Sequence, residues 1–194
     1  MIEYDENKHW YYLDGKRIPS VTQILSFLND YSFVNQERIE YSRNFGTGVH
    51  LACELIDTDN LAELPEIYNP YVNSWNKFVE DFKPNIIEVE KLVYSEKYRF
   101  AGKADRIMKI GNKLIVADIK SGAKNPVHAL QLAGYEIALK EMGYKINSRM
   151  AIYLKENNYY LQEFRDIYDT TIFLSALNIY NWKINNNIRS KSDD

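Results

Sequence analysis

Between positions 100 and 119 the apolar residues fall on both parities of two strand-length runs, the mark of strands covered on both faces. The runs, 100–110 and 113–119, are joined by Gly111-Asn112, a two-residue hairpin loop. A third strand-like run covers 86–94. Upstream the pattern is mainly helical. A short hairpin around Asp14-Gly15 comes first, and Ser20 then caps a helix over 21–28. Further helices are predicted over 36–56 and 70–82. The latter carries Tyr71, Trp75, Phe78, Val79 and Phe82 at helical spacing and stops before Pro84. Downstream, a helix over 126–142 ends at Gly143. Strands over 149–155 and 159–164 turn at Asn157-Asn158, a last helix covers 170–186, and the tail 189–194 is expected to fray. A helical N-terminal region followed by β-β-β-α-β-β-α predicts an α/β fold around a mixed sheet flanked by helices.

At 194 residues the chain is expected to form one domain, with a hairpin and helices over 1–85, a core over 86–165 and a closing helix over 170–186. No apolar run reaches the roughly 20 residues of a membrane helix, and the first residues lack the pattern of a signal peptide. A cytoplasmic protein without membrane association is expected. Cys53, the single cysteine, excludes an internal disulfide, a cysteine-held iron–sulfur cluster and a Cys-rich zinc site; it reads as a buried apolar position.

The formal net charge of −3 argues against a uniformly basic nucleic-acid binder. Positions 91–124, however, hold nine Lys/Arg against three acids, so this window carries +6 and the rest of the chain −9. A local basic strip in an acidic protein suits a polyanion held at one place.

The hairpin gives that strip its chemistry. With Ile110 paired to Lys113, Asp105 falls directly opposite Asp118, on one face, with Cβ atoms about 4.5–5.5 Å apart. Strand alternation returns Lys120 to the same face. Ile107, Val116 and Leu114 share that face; Met108, Ile110, Ile115, Ala117 and Ile119 take the other. Two carboxylates opposed beside apolar neighbours repel one another, and a shared cation relieves this. Oxygen ligands select a hard ion, Mg²⁺ or Mn²⁺. Such an ion beside an ammonium suits phosphodiester hydrolysis.

Ala101-Gly-Lys-Ala-Asp105, Asp118-Ile-Lys120-Ser-Gly122 and Gln131-Leu-Ala-Gly-Tyr135 resemble the G-x-x-D, D-x-K and Q-x-x-x-Y series of the RecB-like branch of the PD-(D/E)XK nuclease superfamily. Gly48-Val-His50 is similar to the helical histidine of that branch, and Val89-Glu90 to the acid of its first core strand. The resemblance implies a restriction-endonuclease-like core. It implies metal ligation by His50, Asp105, Asp118 and the carbonyl of Ile119. Lys120 would be the catalytic lysine, Glu90 an auxiliary acid, and Gln131 and Tyr135 residues that brace the site and touch the DNA backbone. Lys103, Arg106 and Lys124, from the basic strip, join them as candidate substrate contacts. Ala104 stands where the family's proline does, and the four cysteines of the iron–sulfur subgroup are absent. The implied function is a Mg²⁺- or Mn²⁺-dependent DNA exonuclease of phage or mobile-element recombination. At this length no helicase or separate target-recognition domain is expected, and its partners would be DNA, a single-strand annealing or other recombination protein, or a second copy of itself. A structure-selective endonuclease and an inactive nucleic-acid-binding module are the alternatives. His128 and Ser121, near the site, read as capping or loop residues; the stretches Trp10-Tyr-Tyr and Tyr159-Tyr160 read as packing.

Overall fold

The computed structural model describes residues 1–29, 35–60 and 64–188. The tail expected to fray, 189–194, lies outside them.

Three short strands open the chain: β1 (Ile2–Asp5), β2 (Trp10–Leu13) and β3 (Lys16–Ile18), paired antiparallel in that order. The β2–β3 hairpin turns at Asp14-Gly15 as expected, whereas β1 was not predicted. Its alternation of Ile2 and Tyr4 with Glu3 and Asp5 is only four residues long. Helix α1 (Val21–Leu25) starts on a capping box, in which the Ser20 hydroxyl accepts from the Gln23 amide and the Gln23 side chain accepts from the Ser20 amide. It is shorter than predicted, because residues 26–28 tighten into a 3₁₀ turn. Helices α2 (Gln36–Asp57) and α3 (Asn69–Phe82) follow, α3 with Pro70 in its first turn and Lys83 left-handed at its end, just before Pro84.

The central sheet holds β4 (Asn85–Ser95), β5 (Phe100–Ile110), β6 (Lys113–Lys120), β7 (Ser148–Lys155) and β8 (Asn158–Phe164), in that spatial order. All neighbours are antiparallel except β6 and β7, whose parallel pairing needs a crossover. Helix α4 (Val127–Glu141) supplies it, and α5 (Tyr168–Asn185) closes the fold. The crossover helix is apolar around most of its circumference because it is enclosed, Leu130, Leu132, Ala133, Ile137, Ala138 and Leu139 all being buried. The β7–β8 turn is Glu156-Asn157, not Asn157-Asn158: Lys155 pairs with Asn158, and Asn157 takes the left-handed conformation at φ 55°.

The sheet is covered on both faces. One core gathers Val21 and Ile24 of α1, Ile107, Val116, Ala151 and residues of α4 and α5. The other gathers Val49 and Cys53 of α2, Trp75 and Phe78 of α3, and Met108, Ile115, Ala117 and Ile119. The split of β5 and β6 between the two cores follows the predicted alternation. The N-terminal sheet sits against the β4–β5 end, where Tyr11, Leu13 and Ile18 pack with Ala101, and the Ala101 amide donates to the Pro19 carbonyl at 3.0 Å.

Candidate active site

The β5–β6 ladder runs from Ile110↔Lys113 to Arg106↔Ala117, the predicted register, and the next positions along it are Asp105 and Asp118. Both are buried. In place of a further ladder bond, the Ile119 amide donates to Asp105 Oδ2 at 2.7 Å. Burial, and then the charge of Asp118, push the Asp105 carboxyl up to about 7. Without a cation, this acid is therefore only partly ionised at neutral pH.

Asp118 is held from two sides. Lys120 Nζ lies 2.6 Å from its Oδ2, and Gln131 Nε2 donates to its Oδ1 at 3.1 Å. The Lys120 ammonium also donates to Gln131 Oε1 at 3.2 Å, and Gln131 Nε2 donates to the Tyr135 hydroxyl at 2.9 Å. Gln131 thus bridges the acid and the lysine, and Tyr135, one helical turn on in α4, supports Gln131. Burial acts to lower the Lys120 ammonium, but Asp118 and then Asp105 hold it above the ordinary lysine value, so it stays protonated. Tyr135, only 4 % exposed, holds Gln131 from within. Its ring explains the motif glycine: a Cβ on Gly102 would lie 2.7 Å from it.

His50 comes from α2. Phe45 packs against Tyr68 and Tyr71, and Gly48 lets Tyr68 approach so closely that a Cβ there would overlap its hydroxyl. This contact sets the helix so that His50 Nδ1 lies 3.3 Å from Asp105 Oδ2. Burial, and then the Lys120 charge, push the imidazole below its ordinary value. It is neutral near pH 7, so the approach is no ion pair and a ring lone pair remains for an ion.

Glu90 is brought in by an irregularity of β4. The β4–β5 register shifts between Ile86 and Glu88, and it passes from Val89↔Arg106 to Lys91↔Ala104 without a Glu90–Asp105 pair. Glu90 itself adopts φ 49°, a left-handed conformation rare for a non-glycine residue. Its carboxyl is raised by burial and then by Asp105. Among the described residues, His50, Glu90 and Asp105 form a group whose ligand atoms all lie within 4.8 Å of one another. One imidazole nitrogen beside carboxylate oxygens suits a divalent ion such as Mg²⁺ or Mn²⁺, and the raised Asp105 carboxyl is what an acid pair awaiting a cation displays. Glu90, read from sequence as auxiliary, is therefore central to this cluster, while Asp118 is tied to Lys120 and Gln131.

One expected substrate contact is corrected. Arg106 is fully enclosed and cannot reach a ligand in the groove. It leaves β5 on the face opposite Asp105, where Nε meets Asp57 Oδ2 at 2.6 Å and Nη1 lies 3.4 Å from Glu90 Oε1. Asp57 and Trp75, whose indole donates to Asp57 Oδ1 at 2.9 Å, are site residues that sequence reasoning missed. A signal was available, since Asp57 lies seven residues after His50, on the same side of α2. Lys103 does line the groove, 3.3 Å from Glu90 Oε2. Lys124 is exposed, its ammonium over the rings of Tyr153 and Tyr160. His128 bonds the Tyr153 hydroxyl at 2.9 Å and is pushed down to about 4 by burial, consistent with a structural role.

These groups open into a groove of about 610 Å³ between α2, the N-terminal sheet and the β5–β6 end, with Tyr4, His9, Arg43, Lys103 and Lys120 on its walls.

A family model of the PD-(D/E)XK nuclease superfamily matches residues 58–170. The fold is similar to that of LHK-Exo, an alkaline exonuclease from Laribacter hongkongensis. The structure of that protein in complex with dAMP is 10 % identical, with a TM-score of 0.51 over 88 % of this chain and 89 % of that one. A second structure of LHK-Exo gives 10 % identity and a TM-score of 0.50 over 87 % and 88 %. SSO0001 is 18 % identical with a TM-score of 0.38, and the match spans about half of each chain, 55 % of this one and 54 % of that one. No curated protein matches the sequence.

Proposed function

Because the chain belongs to the PD-(D/E)XK nuclease superfamily, we propose that it is a Mg²⁺- or Mn²⁺-dependent DNA exonuclease working at the groove just described. The observation that carries this reading is the meeting of two clusters at the end of the β5–β6 pair. His50, Glu90 and Asp105 offer ligands to an ion, and Lys120, fixed by Asp118 and Gln131, stands beside them. The exonuclease assignment leans on the likeness to LHK-Exo, which extends over nearly nine-tenths of both chains.

His50, Glu90 and Asp105 would hold the ion, with Asp118 and the Ile119 carbonyl as further ligands. A divalent ion there supplies Lewis acidity toward a phosphodiester. Lys120 has one side committed to Asp118 and Gln131 and is 20 % exposed toward the groove. A free N–H of its ammonium orients the attacking water and stabilises the negative charge that grows on the phosphate oxygens. Gln131 keeps that ammonium from turning away. Lys103 and Arg43, both on the groove walls, would neutralise phosphates near the cleaved bond, and Lys124 would do so farther along the strand. We propose, from the family resemblance, that it works in phage or mobile-element recombination with a single-strand annealing or other recombination protein.

Linear and covalently closed circular duplexes, incubated with Mn²⁺ and with chelator, test the reading. Linear DNA is expected to shorten to nucleotides only with the ion, while circles persist. Cut circles would replace the exonuclease by an endonuclease, and binding without cleavage would leave an inactive module.

A further inference from the structure

Among the described residues, Arg106 is the largest charged side chain that is fully buried, and nothing in the chemistry above uses it. We propose that it is a positioning residue for the metal centre, a guanidinium that holds Glu90 in the ion's donor set and is itself held by Asp57 and Trp75. The inference rests on the nuclease reading only for the identity of the ion's task.

The backbone explains why Glu90 needs holding. Where β4 and β5 should pair Glu90 with Asp105, the ladder skips a pair, and Glu90 is left-handed. A left-handed glutamate in a broken ladder persists only where its surroundings fix it. The neighbouring charges oppose its position, since its carboxylate lies within 4.8 Å of ligand atoms of Asp105 and is repelled by that acid. Two cations oppose the repulsion. Lys103 is 37 % exposed on a flexible stem, so it holds Glu90 loosely. Arg106 has no such freedom.

The guanidinium spans the gap in the ladder. Its Nη1 donates to the Asp105 carbonyl at 2.6 Å and reaches Glu90 Oε1 at 3.4 Å. Its far edge is anchored by Asp57 Oδ2 at 2.6 Å, and it lies 5.5 Å from the centre of the Trp75 ring. Its charge also acts on Asp105, Glu90 and His50, an effect that any cation at this place would share. What it supplies is geometry, a planar fork whose donors keep a fixed angle, which an ammonium cannot reproduce. Asp57 ends α2, the helix that also brings His50, so the same guanidinium ties together all three ligand-bearing elements, α2, β4 and its own β5.

Mn²⁺ binding to the full chain, followed by titration calorimetry and melting temperature without DNA, tests this. Arg106→Met is expected to weaken Mn²⁺ about 10–100-fold, the range for losing a residue that orients a ligand. Glu90→Gln is expected to weaken it similarly. Because Arg106 acts through Glu90, the double variant should bind no worse than Glu90→Gln alone. Arg106→Lys should recover the melting temperature but not the affinity. If Arg106→Met fails to fold, Arg106→Met with Asp57→Asn removes the stranded acid, and Arg106→Lys carries the same comparison. Wild-type affinity in a folded Arg106→Met or Arg106→Lys protein, full additivity in the double variant, or no Mn²⁺ binding by the wild type would each overturn the proposal. Mn²⁺ binding without DNA cleavage would instead sink the nuclease reading and leave the role of Arg106 standing.

Discussion

Lys120 and Arg106 lie on adjacent strands, each within two residues of an acid of the site, and both are cations beside carboxylates. They differ in the face from which they leave the sheet. Lys120 shares the side of Asp118 and keeps 20 % of its surface open to the groove. Arg106 is one residue from Asp105, so it emerges on the opposite side, among Trp75 and Asp57, with no exposure. Proximity in sequence therefore says little about whether a cation is free for chemistry. Parity along the strand decides it.

The widest separation between the two flanks should come from the acid between them. Asp105→Ala is expected to remove Mn²⁺-induced stabilisation, worth about 2.7 kcal/mol at a hundredfold excess over Kd. It should also lower cleavage by at least about 1000-fold, the upper range for losing one electrostatic contributor. A melting temperature still raised by Mn²⁺ would move the ion away from Asp105. Next comes Lys120→Ala, expected to lower kcat at least ~100-fold while Mn²⁺ affinity is unchanged or improved by loss of a nearby positive charge. Wild-type cleavage by a folded Lys120→Ala protein would refute its assignment. On stability the ranking reverses. Arg106→Met strands Asp57 in the interior and is expected to cost about 3–5 kcal/mol in denaturant unfolding. Equal losses for Lys120→Ala would erase the contrast between the flanks. The smallest effect belongs to Lys103→Ala: a few-fold weaker DNA affinity, with the slope of log affinity against log salt reduced by about 1. An unchanged slope would mean that Lys103 serves Glu90 and touches no phosphate.

Much of this was legible before any coordinates. Gly111-Asn112 set the β5–β6 register, and alternation then placed Ile107 and Val116 on one core and Met108 and Ile115 on the other. The contacts of Gln131 with Asp118 and Lys120 lie where the family resemblance, not spacing alone, directed attention. The failures have two physical sources. Arg106 was grouped with Lys103 and Lys124 by charge, although the same alternation puts it behind the sheet, and its partner Asp57 lies 49 residues away on a helix. The conformation of Glu90 has no sequence signature, because a left-handed glutamate exists only where tertiary contacts impose it. The Asn157-Asn158 turn was misplaced by one residue because two asparagines tolerate the left-handed position equally well.

The parallel pairing of β6 with β7 carries a consequence for how the molecule is made. Strands β4 to β6 are joined by short turns and form from local contacts, whereas β7 can join only after α4 has crossed the sheet. Closing that longer loop comes later in folding. Asp105 and Asp118 are therefore expected to meet while still hydrated, with the burial that raises Asp105 arriving as Leu132, Ala133 and Tyr135 dock. A divalent ion bound at that stage would neutralise the acids before the helix seals over them, and would couple assembly of the chain to loading of its metal. Refolding under a chelator is expected to slow this docking phase and to leave the earlier hairpin phase untouched.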